Sequence, residues 1–445
     1  MAKIYYFALA DEMRKEDKLN WLRDNPLSKI PFETIKPDKN NNWLNNSDND
    51  FETLLPLISK DKKEESIFNF STLGVSTNRD EWVYDLNEQN LSNKIEFFTK
   101  TYNQLLIEKG NPEKEEKVKW SESLKTIFKK KTQIKFKKEL ILKGNYRPFV
   151  SKWFYAEKNL NDRLTQNHYD IFGESLDKKN LLIGILFGNR LEFSVYSSSI
   201  IPNLATFSLD PAKWIPLSIY DKNGERKENI TDWALTQFQN HYQNESITKE
   251  NIFYYVYAVL HTPQYRTKYE QNLKRDFPRI PFYKDFIFFA ERGKELADLH
   301  IGYEAVDKYP LETVSIKKSK DKPQGSMLFE EPEPDLYAKA ERNQYIPKAK
   351  LKANKENGEI ELDDVTILRG IPAEAWEYKL GNRSALEWIL DQYKESKPTD
   401  KTIAEHFNTY RFADYKEVVV NLLMRVCRVS IESVRIVREL EQANG

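Results

Sequence analysis

The residues of this chain that could do covalent or metal chemistry are spaced in ways that exclude most of it. The five histidines, His168, His241, His261, His300 and His406, lack the i, i+3 or i+4 spacing of helical metal sites. Cys427 has no second cysteine to pair with, and its apolar setting VVVNLLMRVCRV predicts a buried thiol. Glu359, Glu361, Asp363 and Asp364 alternate through IELDDVTIL, and carboxylate oxygens suit a hard cation such as magnesium. A nuclease pattern also needs a lysine on the neighbouring position, and this segment has none, so no metal site is expected. His300 and Glu304 stand four apart on an expected helix and can pair as neighbours on its surface. No G-x-x-x-x-G-K-[ST] loop for nucleotide phosphates occurs, no glycine-rich loop for S-adenosylmethionine, and no acid or amide followed by Pro-Pro and an aromatic to hold a target amine. Translocation and methyl transfer are therefore not expected of this chain.

Residues suited to gripping a polyanion are present. From Lys125 to Lys143 the chain carries eight lysines, among them Lys129, Lys130, Lys131 and Lys135, against the single acid Glu139. Such a cluster can sit on phosphates and release counterions; the plainer reading is a solvated helix end and an edge strand protected by lysines. Ser76, Thr77, Asn78 and Arg79 follow a turn glycine and precede an aromatic segment, a setting that can present them at a loop tip. Arginine suits guanine edges and asparagine adenine edges, whereas an Arg79–Asp80 ion pair would make the same residues structural. Arg147 and Lys152, in YRPFVSKWFYA, are candidates for backbone phosphate, with Phe149, Trp153 and Tyr155 expected in the core. Arg190 completes the set of candidate contacts.

The elements that must position these groups are mixed. A strand is expected at Lys3–Ala8, helices at Asp17–Asn25, Asn93–Glu108 and Trp120–Lys130, and strands in QIKFKKELIL, FVSKWFYA, NLLIGILFG and LEFSVYSS. The Asn-rich piece 36–50 reads as a loop. Thr248 is a candidate N-cap for a helix whose buried face carries Ile252, Phe253, Val256, Tyr257 and Leu260. Thr262 and Pro263 can open a second helix, and the two prolines of PRIP force extended backbone before a third helix near Phe282. Ser384 and Glu387 fit a capping box.

Several segments together carry a family resemblance: STLGVSTNRDEWVYD (71–85), YRPFVSKWFYA (146–156), WIPLSIYD (214–221), residues 251–286 from NIFYYVYAVLHTPQYR to the PRIP corner, WEYKLGNRSALEWILDQY (376–393) and FNTYRFADYKEVVVNLL (407–423). Each is similar to a block of the C-terminal specificity domain of Type ISP restriction-modification enzymes, in the family's order. The resemblance implies an α+β fold, a mixed β-sheet recognition region with helical modules in a multi-part target-recognition domain. It implies a module that reads duplex DNA at an asymmetric site and positions an adenine for N6 methylation by a partner. The expected partners are double-stranded DNA and adenine methyltransferase and helicase-nuclease domains or subunits; S-adenosylmethionine, ATP and magnesium would belong to those partners, with no cofactor in this chain. The alternative is a protein-interaction or scaffold subunit of a defence system without autonomous DNA reading.

Composition agrees with a folded chain. Its 445 residues are 40% apolar and 13% aromatic, enough for a large core. Mean hydropathy of −0.72 and the lack of a long apolar run argue against a membrane span, so the expected location is cytoplasmic. With 69 basic and 69 acidic residues, the net charge is zero, and any attraction to nucleic acid has to be local. Four parts are expected: a mixed segment 1–130, following a methyltransferase that this chain lacks; a strand-rich recognition region with the helical module, 131–312; an exposed linker, 313–347; and small strands with a helical bundle, 348–445.

Overall fold

The computed structural model describes residues 3–9, 13, 15–37, 43, 49–59, 64–188, 192–207, 210–315 and 347–443. The chain opens with a ribbon of β1 (Ile4–Tyr6) paired antiparallel to β2 (Glu33–Ile35), with helix α1 (Lys15–Asp24) between them. Helix α2 (Glu88–Ile107) begins five residues before the expected Asn93, because the Asn87 side chain accepts from the Asn90 amide at 2.8 Å and caps it. Helix α3 (Glu122–Lys129) is capped in the same way by Ser121.

The hairpin of β3 (Ile141–Arg147) and β4 (Val150–Tyr155) adds Tyr84–Asp85 as a third strand. Its turn places Phe149 at φ 58°, a region bulky side chains rarely adopt. The Phe149 amide donates to the Tyr196 hydroxyl at 3.2 Å, and its ring packs edge-on to Tyr196, His300 and Tyr303. QIKFKK does not join this sheet. The Ile134 backbone bonds instead to the Asn103 side chain of α2, through amide and carbonyl, so the alternating pattern is satisfied without a ladder. A second sheet has the order Thr72–Leu73, β7 (Lys213–Pro216), β5 (Leu182–Leu186), β6 (Ser194–Ser198); β5 is buried throughout, as its apolar run requires, and the edge strand β6 is buried throughout as well.

Helix α4 (Lys249–His261) has the expected Thr248 cap, reciprocated by Asn251. It is buried all round from Ile252 to His261, not on one face, because it runs through the centre of an apolar cluster with helix α5 (Phe286–Ile301) laid against it. The Thr262 hydroxyl turns back to donate to the Ala258 carbonyl at 3.1 Å and does not cap the short Pro263–Lys268 helix. Arg279–Ile280 of PRIP pairs with Leu55–Pro56, and α5 then starts at an Asp285 cap, after Phe282.

The third sheet has the order β8 (Glu312–Ser315), β11 (Thr366–Arg369), β10 (Glu359–Asp363), β9 (Ala349–Asn354). Residues 313–315, expected to begin a linker, are thus a strand paired with residues beyond it; residues 316–346 lie outside the described residues. One apolar cluster extends from Val75 to Val434 and another from Phe51 to Leu440, so both cores draw on distant parts of the sequence. Helix α6 (Phe412–Ala443) closes the chain and buries the Cys427 thiol. Among the described residues, no helix is long and apolar enough to cross a membrane.

Candidate nucleic-acid interface

Ser76 to Asp80 form a knot, not a presented loop tip. Arg79 is only 1% exposed. Its guanidinium donates to the Leu160 carbonyl and to Ser121 Oγ, each at 2.5 Å, and lies 3.6 Å from Asp162. Burial pulls its pKa down to about 10, with Asp162 opposing, and the group remains a cation at neutral pH. The ion partner is Asp162, not the expected Asp80, which accepts from Thr77. Thr77 is 2% exposed and its hydroxyl takes the Arg79 amide at 3.0 Å. Ser76 is half-buried, with its carbonyl bonded to the Arg163 amide at 2.9 Å. Only Asn78 is exposed; it sits at φ 54° and bonds to Asp162. A direct base or phosphate contact by Thr77 or Arg79 is therefore corrected: their polar atoms are spent inside the fold.

What the knot holds is α3. Ser121, its cap, binds both Arg79 and Asp162, the latter at 2.8 Å. At the other end Phe128 packs edge-on between Tyr102 and Trp120. Fixed at both ends, α3 carries Lys129 in its last turn, where a cation also favours the helix dipole. Lys130 follows, and Lys131 turns the chain at φ 57°. Lys129, Lys130, Lys131 and Lys135 are all exposed and hold no ion pair among the described residues. Lys125, by contrast, pairs with Glu113 at 2.7 Å and Glu122 at 2.9 Å.

Lys129 and Lys131 line a groove of 720 Å³ together with Lys109, Lys125 and Glu113 and the apolar Leu106, Ile107 and Phe128. Sequence reasoning missed Lys109. Its signal was the helix stop Lys109-Gly110-Asn111-Pro112, where Lys109 adopts φ 52° and lines the same groove as the lysines of α3. Lys109, Lys129 and Lys131 hold no ion pair among the described residues, and ammonium groups of this kind beside apolar side chains can sit against a phosphate backbone.

The YRPF turn does not open its cations to solvent in the same way. Arg147 donates to the Tyr146 carbonyl at 2.7 Å and to Asn203 at 3.3 Å, with its guanidinium 4.1 Å from the Tyr146 ring. Lys152 stands 3.9 Å from the same ring and donates to Gln392 at 3.2 Å. Burial first, and then the Arg147 charge, bring the Lys152 amine down to about 7. Phe149 and Tyr155 are core residues as expected, whereas Trp153 is half-buried beneath Lys143 at 4.1 Å. The structure thus separates the candidates into the lysine groove, the Arg79 knot and the Tyr146 sandwich; Arg190 lies outside the described residues.

The residues weighed for other chemistry have structural partners. His300 is buried, takes Tyr257 at 2.6 Å and Ser433 at 2.9 Å, and is held neutral by burial, which lowers its pKa to about 3. It does not pair with Glu304, which accepts from Ser151 and Tyr303. Glu359, Glu361 and Asp363 pair with Arg369, Lys350 and Lys416, each at 2.7 Å.

The chain is similar along 98% of its length to the chain of the DrdV-DNA complex, with 40% identity and a TM-score of 0.83. It is similar over the same share to a nuclease-deletion mutant of the Type ISP restriction-modification enzyme LlaGI in complex with a DNA substrate mimic, at 27% identity and TM-score 0.74. The ATP-dependent Type ISP enzyme LlaBIII bound to DNA, at 24% identity and TM-score 0.77, shares the fold. This chain spans 43%, 33% and 27% of the lengths of those three chains. No curated protein sequence matches it. The sequence pattern of the Type ISP C-terminal specificity domain covers residues 66–422, the greater part of the sequence, and the chain belongs to that family.

Proposed function

We propose that this chain grips and reads duplex DNA for a Type ISP restriction-modification system, selecting an asymmetric site and presenting an adenine to a methyltransferase domain or partner. The observation that carries this reading is the match, along 98% of the chain at 40% identity, to a protein solved on DNA. The unpaired lysines around the α3 groove support it, because a chain of zero net charge can attract phosphate only through a local excess of cations. Phosphate contacts of this kind set register, and sequence choice then falls to side chains that reach base edges. The adenine amine cannot be methylated within the stack, so the base swings out into the partner's pocket. S-adenosylmethionine, ATP and magnesium are assigned to partner domains.

The test is a selection from randomised duplex DNA with the purified chain at near-physiological salt, followed by sequencing and a salt titration on the enriched pool. An enriched asymmetric motif is expected. Binding without enrichment would give this chain the grip but not the reading. No binding even at low salt would sink the proposal in favour of a scaffold subunit.

A further inference from the structure

A cavity of 480 Å³ lies where stretches distant in sequence meet: the corner from His261 to Thr267, the start of β6, residues 377–379, and α6 from Val434 to Glu441. Small-molecule sites typically have about 300–1,000 Å³. The cavity shares no residue with the lysine groove. Its polar groups are left over from the fold. Arg266 is half-buried, and its Nε donates to the Leu260 carbonyl at 2.7 Å. The guanidinium stands over the Phe193 ring, 5.6 Å from its centre, so one face is covered. Its two terminal nitrogens have no acceptor and no ion-paired carboxylate among the described residues. Tyr378 is 7% exposed, and its hydroxyl is buried without a hydrogen-bond partner. Burial pushes this phenol up, with the Arg266 charge opposing, so it keeps its proton and can donate. Polar groups taken out of water without acceptors cost stability, and such a pair in one cavity calls for an occupant that accepts from both.

The remaining lining sets the charge and body of that occupant. His261 adds no charge: its Nδ1 donates to the Tyr257 carbonyl at 2.8 Å, and burial, followed by the Arg266 charge, holds the ring neutral. Arg266, Lys379 and Arg438 line the cavity together with Glu192, Glu377 and Glu441, and Glu377 is already paired with Arg438 at 2.8 Å. Cations and carboxylates in equal number offer no field for a polyanion such as a DNA backbone. A planar guanidinium fork nevertheless matches a single carboxylate through two parallel N–H···O bonds. Pro263, Val434 and Val437 supply apolar wall for the rest of such a molecule. We propose that this cavity binds a small organic carboxylate, its oxygens on the terminal nitrogens of Arg266 and on the Tyr378 hydroxyl, and its apolar body against Val434 and Val437.

The probes are acetate, hexanoate and benzoate, each beside its neutral amide, titrated into the full chain and followed by saturation-transfer NMR and by melting temperature. At least one carboxylate should bind with Kd of about 1 mM, at least about tenfold more tightly than its amide, and should raise the melting temperature as its concentration rises. Arg266→Lys keeps the charge but loses the fork and should weaken that carboxylate about tenfold. Tyr378→Phe removes a hydroxyl that the fold does not use; it should weaken binding about fivefold and leave the melting temperature of the free chain no lower than that of the wild type. The assignment is overturned if none of the three carboxylates binds by about 20 mM, if acid and amide bind alike, or if the variants bind as the wild type does. A free Tyr378→Phe chain that melts lower would also overturn it, by showing that the hydroxyl has a partner within the fold. Inorganic phosphate protecting the chain better than every carboxylate would do the same and name a phosphate site. None of these outcomes depends on whether the chain selects a DNA site.

Discussion

Arg79 has the side chain best suited to read guanine in the STNRD segment, and the fold uses it as a rivet between Leu160, Ser121 and Asp162. Removing a buried charge strands the groups it satisfied, so Arg79→Met should cost about 3 kcal/mol of unfolding free energy. A denaturant titration checks this, and a loss below about 1 kcal/mol would mean that the knot does not hold α3. Lys129→Gln, on an exposed side chain, should change stability by less than about 0.5 kcal/mol while weakening DNA binding. Lys152 makes a prediction in pH. Its amine falls from the ordinary 10.5 to about 7 in the fold, so between those values the unfolded chain holds the proton more tightly. The stability contributed by this group therefore rises with pH through that window. Denaturation midpoints measured between pH 7 and 9 should rise more steeply for the wild type than for Lys152→Met; parallel curves would place a well-solvated amine there.

At the scale of elements, the tightest junction is α4 against α5. A Cβ built on Gly293 would lie 1.9 Å from the Tyr254 carbonyl oxygen, a backbone atom that cannot rotate away. Gly293→Ala should force the helices apart and cost about 1–3 kcal/mol, despite alanine's better helix propensity; an unchanged unfolding midpoint would show that the pair can part freely. This approach was not legible in the sequence, where Gly293 sits in an ordinary helical pattern, because the constraint comes from a carbonyl 39 positions away in the chain. What was legible followed local rules: the Thr248 and Ser384 caps, the Pro263 break and the strands β5 and β6 depend on neighbours in sequence. The failures were tertiary. QIKFKK has a strand's alternation, but Asn103 from α2 takes the bonds a ladder would have used. Arg79 reads as exposed beside its polar neighbours, and only the meeting of Leu160, Ser121 and Asp162 around it makes it core. For the candidate interface, the lysine run was plain from charge alone, while the groove and Lys109 required α2 and α3 to be brought side by side.

For the molecule as a whole, balance between 69 basic and 69 acidic residues removes any general attraction to DNA. Affinity must then depend on where cations cluster without carboxylate partners, and its salt dependence counts those that engage phosphate. Each phosphate contact contributes about 0.9 to the slope of log affinity against log salt. If Lys129, Lys130, Lys131 and Lys135 each engage a phosphate, replacing all four with glutamine should flatten the slope by about 3.6. The wild type should accordingly lose about a hundredfold more affinity than the variant between 50 and 200 mM salt, values chosen as roughly the range over which counterion release is usually compared. Because the four side chains are exposed and unpaired, the variant should unfold at the same denaturant concentration as the wild type, which separates lost grip from lost fold. A slope that changes by less than about 1 would move the phosphate track away from the α3 groove. The Arg79→Met variant supplies the converse: its lysines are intact but their helix is loosened, so affinity should fall through poorer positioning while the slope keeps most of its value.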